Sequence, residues 1–170
     1  MMKSANKIVF TALAAATTAL SACVLHLPLP MPSGYCHPAD ALIFLFCAVL
    51  PEYAPVASAL GFILADLFMG AAVYLPATAV LKWLMAYIAA RFLRRNSLSV
   101  WRNGASLALA ESITVAGYFL YESLVFGLSM AAASLPGNLC QAGIGVVLGV
   151  FLLPTGRRLA HFMTHARHDI

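Results

Sequence analysis

Six polar side chains sit inside otherwise apolar stretches of this sequence: Asp66, Lys82, Tyr118, Glu122, Asn138 and Gln141. A charge at the centre of a membrane helix costs about 2.5–3.5 kcal/mol on insertion scales, so such a residue faces a partner or a water-filled cavity. Lys82 and Asp66 lie at similar depths, about 9 Å and 6 Å from the outer ends of consecutive apolar runs. The match predicts an ion pair between neighbouring helices, which either fixes packing or forms a polar corner of a pocket. Tyr118 stands one turn before Tyr121 and Glu122, so the three share a helix face. Tyr121 also suits an interfacial aromatic belt. Asn138 and Gln141, three residues apart, offer uncharged donors and acceptors from one face. Hydrogen bonds between helices account for them equally well. Glu111 reads differently. It lies about a turn and a half from the inner end of its run, where Arg102 or another protein can pair with it, and no substrate role is expected of it.

The stretch from Leu27 to Pro38 is proline-rich and cannot be regular helix. This loop and the residues beside it carry His26, Tyr35, His37 and Asp40, which could close over the polar set. A polar pocket beneath an aromatic-bearing loop suits a small, partly aromatic solute. His37 and Asp40 are two metal-ligand types without a third, so no metal is expected. No catalytic residues are expected either: the sequence has no Ser/His/Asp motif and no P-loop. It reads as a non-enzyme without a cofactor, and any active transport needs an outside ATPase.

The elements that position these residues follow from composition. Of 170 residues, 62% are hydrophobic and 9% charged, and mean hydropathy is +0.89. A soluble domain carries about 25% charged residues. The chain is therefore read as all-α, one transmembrane domain over residues 1–170, in a lipid bilayer. The net charge of +4 does not signal nucleic acid, because the basic residues flank apolar runs instead of lining one face. The spans fall at about 8–25, 41–50, 55–70, 76–93, 104–125 and 137–153. The second is short: ten residues of helix cover about 15 Å, against a hydrocarbon core of about 30 Å. Charge favours keeping it separate. With six spans and both termini cytoplasmic, Lys3, Lys7, Arg91, Arg94, Arg95, Arg102, Arg157, Arg158 and Arg167 all lie inside. Fusing the second and third runs sends the loop arginines to the opposite side, against the positive-inside rule. The location expected is a bacterial inner membrane.

Cys23, Cys36, Cys47 and Cys140 form no CxxC pair and no zinc spacing. Cys36 lies in a loop and needs a partner on the same side to form a disulfide. Leu20-Ser21-Ala22-Cys23 after Lys3 and Lys7 also has the layout of a lipoprotein signal. The apolar stretch continues to Leu25, which favours an uncleaved helix.

Three blocks, in order, resemble one family. They are Gly34-Tyr35-Cys36-His37-Pro38-Ala39-Asp40-Ala41, then Gly61 to Lys82 (with Ala65-Asp66-Leu67, Gly70, Tyr74, Pro76 and Thr78), then Gly117-Tyr118-Phe119-Leu120-Tyr121-Glu122 with Pro136-Gly137-Asn138 and Gln141. They are similar to the S components, or substrate-binding subunits, of energy-coupling factor (ECF) transporters of the riboflavin-like type. The resemblance runs from about Lys7 to Leu153. It implies a six-helix subunit of an ABC-type importer that captures a vitamin or related micronutrient at the outer face for ATP-driven uptake. It implies partners as well: a transmembrane scaffold subunit and two ATPase subunits. Tyr35, His37, Asp40, Asp66, Tyr74, Thr78, Lys82, Tyr118, Glu122, Asn138 and Gln141 are then the substrate-binding candidates. Docking in that family uses small residues on the first helix, and Ala12 with Ala16, or Ala15 with Ala19, has the spacing. The aromatic residue that often follows those alanines is absent here. Small residues at i and i+4 let another helix approach closely, although internal packing uses the same pattern. The competing reading is a structural or assembly membrane protein whose polar residues only pack helices.

Overall fold

The computed structural model describes residues 4–28, 35–93 and 99–165. Lys3, Gly34, Arg94, Arg95 and Arg167 lie outside the described residues, and Tyr35 is described in its backbone alone. Among the described residues six α-helices build the fold: α1 (Ser4–Val24), α2 (Ala39–Val49), α3 (Ala54–Phe68), α4 (Leu75–Leu93), α5 (Val100–Val125) and α6 (Leu128–His165). A 3-10 turn, Ala72–Tyr74, leads into α4. Between α1 and α2 a short antiparallel ladder pairs β1 (Leu27–Pro28) with β2 (Tyr35–Cys36), Leu27 opposite Cys36.

Local chemistry sets the helix limits. Pro38 immediately precedes α2, and Pro55 occupies the first turn of α3, where its missing N–H is not needed. Gly70 ends α3 with φ 72°, and Gly127 divides α5 from α6 with φ 93°; a residue with a Cβ adopts that region at a cost. Ser99 caps α5, its hydroxyl accepting from the Arg102 N–H at 3.4 Å. The cap starts α5 at Val100, earlier than the apolar run suggests. α6 likewise begins before Pro136 and contains both Pro136 and Pro154.

Packing runs α1 on α3, α3 on α4, α4 on α5, α5 on α6, and α2 against α6 and α4. The α1–α3 contact is closest at Gly61, where a Cβ would stand 2.8 Å from both the Ala15 carbonyl oxygen and Thr18 Cβ. The core gathers Phe44, Met85, Ala86, Ala89, Leu107 and Leu153, all nearly sealed from solvent. The outer surface is the inverse of a soluble protein's: Trp101, Leu124, Phe68 and Phe151 are each exposed by 76% or more. An apolar exterior over internally bonded helices is what a lipid solvent requires. α1, the stretch Ala72–Leu93 and most of α6 are long and apolar enough to cross a membrane.

The short α2 is explained by its place in the fold. It is 11 residues long, with seven of them buried. Its first turn meets Lys82, seven residues into α4, and Gln141, thirteen into α6. Those positions lie about 10 Å and 20 Å along their helices. α2 therefore begins inside the bundle.

Candidate functional site

Asp40 is the hub. It lies in the first turn of α2, fully buried, and its carboxylate receives two bonds. Lys82 Nζ donates to Oδ1 at 2.6 Å, and Gln141 Nε2 donates to Oδ2 at 2.8 Å. The Lys82 ammonium also stands 4.4 Å from the centroid of the Phe62 ring, a cation–π contact. His37 stacks on the same ring at 5.4 Å. His37 is 93% buried, and burial pushes its imidazole down to about 4, against the opposing pull of Asp40.

The ion pair expected between Asp66 and Lys82 is therefore corrected: Lys82 bonds Asp40. Depths along α3 and α4 leave α2 out of account. The start of α2 reaches inward and brings a second carboxylate closer. Asp66 remains beside Thr78 and within the field of Lys82, and its Oδ2 is buried without a hydrogen-bond partner among the described residues.

A second cluster joins the α3–α4 connection to the end of α5. Tyr74 donates to Glu122 Oε1 at 3.2 Å. The hydroxyls of Thr78 and Tyr118 lie 2.9 Å apart. Tyr74 meets the rings of Tyr118, Tyr121 and Phe126 at centroid distances of 5.8–6.3 Å, and Tyr121 donates to the Val73 carbonyl. Glu122 is buried, and its Oε2 has no hydrogen bond among the described residues. Ser134 stands beside that carboxyl but gives its hydroxyl proton to the Met130 carbonyl at 3.2 Å. Asn138 is half-buried, with Nδ2 in the same unbonded state.

The structure thus brings His37, Asp40, Lys82 and Gln141 into one cluster. Tyr74, Thr78, Tyr118 and Glu122 form the other, with Asp66 between them. Asn138 Nδ2 bonds to neither set among the described residues, and the side chain of Tyr35 lies outside what is described.

Three participants were not foreseen. Phe62 sits under both His37 and Lys82, with no polar signal to mark it. Glu111, expected near an end of its helix, lies eleven residues into α5, about 16 Å along it. It is 2% exposed, and its Oε1 has no hydrogen-bond partner among the described residues. Gly145 of α6 explains the approach: a Cβ there would stand 2.6 Å from Glu111 Oε1 and 3.1 Å from Asp40 Cβ. Glu111 also lines a cleft of about 690 Å³ between α5 and α6, with Ser112, Phe119 and Leu139 among its walls.

On α1, Ala15 and Ala19 are buried, whereas Ala12 and Ala16 are exposed. The pair Ala15–Ala19 is therefore withdrawn as a docking face, because Ala15 packs at the Gly61 contact with α3. The Ala12–Ala16 pair lies on the outer side with Leu13 and Leu20.

Residues 2–158 match the family described as ECF-type riboflavin transporter, S component. No curated protein matches the sequence. Among solved structures, the S-component for biotin from an ECF-type ABC transporter superposes with a TM-score of 0.67. The superposition covers 95% of each chain at 13% identity, which speaks to the fold alone.

Proposed function

We propose, since this chain belongs to the family of ECF-type riboflavin transporter S components, that it captures a vitamin or related micronutrient for ATP-driven uptake. The family is that of a transporter's substrate-binding component and not of an enzyme. The observation that carries the reading is the buried polar assembly on α2, α4 and α6 centred on Asp40, Lys82 and Gln141. Polar groups this deep in an apolar bundle are expensive, and a bound solute gives them a purpose. β2 leads directly into His37 and Asp40, so the short stretch from the end of β2 to the first turn of α2 forms one wall of the site. Tyr74, Thr78, Tyr118 and Glu122 form the opposite wall, with Asp66, Asn138 and Tyr35 as further contacts.

Uptake against a gradient needs an energy source that this chain does not carry. The partners are an ECF transmembrane scaffold subunit and two ATPase subunits, met through the exposed Ala12–Ala16 face of α1. Small residues at i and i+4 allow close helix approach. The location is the bacterial inner membrane, with both termini cytoplasmic by the distribution of Lys and Arg.

One observation favours the structural alternative. Asp40, Lys82 and Gln141 satisfy one another, as residues that only pack helices do. Native mass spectrometry of the detergent-purified protein separates the two readings. A small molecule released on denaturation at near-equal stoichiometry, with ATPase subunits co-purifying, is the expected result. A protein free of ligand after exposure to a vitamin panel, and free of ATPases, leaves the structural role standing.

A further inference from the structure

Charge is distributed unevenly in the interior. Of the chain's six acidic residues, four (Asp40, Asp66, Glu111 and Glu122) lie on α2, α3 and α5. Lys82 is the one buried Lys or Arg among the described residues. It is already engaged, held by Asp40 at 2.6 Å and resting on the Phe62 ring.

Glu111 has one carboxyl oxygen left without an answer among the described residues. It is 2% exposed, and its Oε1 has no hydrogen-bond partner among the described residues. It converges with Asp40 on the bare backbone of Gly145, so two carboxyl side chains face one patch of α6. Asp66 Oδ2 and Glu122 Oε2 are also buried and unbonded among the described residues. Beside Glu111 the α5–α6 cleft of about 690 Å³ gives a ligand group room to stand. A buried acceptor without a donor is costly, and carboxyl groups gathered in a low-dielectric interior cannot all carry charge without repelling one another. A ligand that brings donors or positive charge removes both costs. A carboxylate ligand adds to the repulsion and must first detach Lys82 from Asp40.

We propose that the captured solute is a small heteroaromatic bearing an amino group or a fixed positive charge, directed at Glu111 beside Asp40. This rests on the capture reading above and narrows its substrate class.

The test measures binding to the purified full chain in detergent with charge-matched probes. Pyridoxamine and 4-pyridoxate share a ring and differ in amine against carboxylate. Thiamine, riboflavin and biotin add a fixed cation, a neutral ring system and an anion. The amine or cation probes should bind at least about tenfold more tightly than the carboxylates, or about 1.4 kcal/mol. Glu111→Gln should lower the affinity of the preferred probe at least about tenfold, with elution and melting as for the unmodified chain. Should that variant fail to fold, Asp66→Asn is the second variant, with the same direction expected. Tighter binding of a carboxylate or of riboflavin overturns the charge preference and leaves solute capture standing. So does a folded variant that binds the cation unchanged. Failure of every probe removes the capture reading, and this inference with it.

Discussion

Lys82 Nζ lies 2.6 Å from Asp40 Oδ1 across α4 and α2, with both side chains sealed from solvent. The bond crosses helices that are far apart in sequence, and it fixes where the first turn of α2 enters the bundle. Removing one partner strands the other charge in the interior, which costs about 3–5 kcal/mol, while replacing both is often close to neutral. Lys82→Met should therefore lower the melting temperature markedly. The double change Lys82→Met with Asp40→Asn should regain most of the loss. A double variant no more stable than Lys82→Met alone would show that the pair does not act as a unit.

Gly61 sits where α1 and α3 approach most closely, and an added Cβ meets the Ala15 carbonyl at 2.8 Å. That neighbour is backbone and cannot rotate away. Gly61→Ala should destabilise by about 1–3 kcal/mol, the range for overpacking. Gly143→Ala is the comparison, because a Cβ there meets nothing within 4 Å. Thermal melts of the two variants in one detergent check the contrast, and equal losses would refute the close approach.

His37 gives stability a pH dependence. Burial against Phe62 lowers its pKa from 6.5 to about 4, with Asp40 pulling it up and Lys82 pushing it down. The folded state holds the neutral ring, while the unfolded chain takes a proton as pH falls through the ordinary value. Stability is therefore intact above about 6.5 and is lost as pH falls towards about 4. The shift corresponds to roughly 3 kcal/mol over that window. His37→Gln should flatten the melting temperature between those pH values, and a slope as steep as wild type would assign the dependence elsewhere.

Cys36 and Cys140 join β2 to α6. Their side chains are neighbours, and burial, then Cys140, raises the Cys36 thiol. Cys140 is exposed, so it should alkylate first and Cys36 slowly at neutral pH. Copper-phenanthroline oxidation should join them, lowering the intact mass by two hydrogens. A cross-link needs Cα atoms within about 7 Å, so failure to form one would place β2 away from α6.

Most of the architecture is legible because apolar runs report directly on helices with an apolar exterior. Depth within the bundle is not. Counted from Gly104, the apolar run puts Glu111 near a helix end. The Ser99 cap starts α5 at Val100, and Asn103, bonded to Arg157 at 3.1 Å, belongs to the helix. Matching depths pair Asp66 with Lys82 only while α2 is taken to start at the surface, and it begins inside the bundle. The candidate site was visible as residue types, since buried charge is rare in such a sequence. Who bonds whom was set by the entry point of one short helix, which no periodicity records.

The outer face of α1 separates folding from partnership. Ala15 is 4% exposed and touches α3 through the Gly61 contact, whereas Ala12 and Ala16 point outward. A large side chain at position 15 has no space, while one at 12 or 16 meets only lipid or a partner helix. Ala15→Trp should therefore fail to fold or melt far below wild type. Ala12→Trp and Ala16→Trp should fold, melt and bind solute like wild type. If α1 docks on a scaffold subunit through its small residues, those two variants should lose co-purification of the scaffold and ATPases by about tenfold or more, because close helix approach depends on the missing bulk. Solute binding reports on the site and pull-down on the docking face, so the two readouts move independently. Retained co-purification in both outward variants would remove this face from the interface and direct attention to another exposed helix.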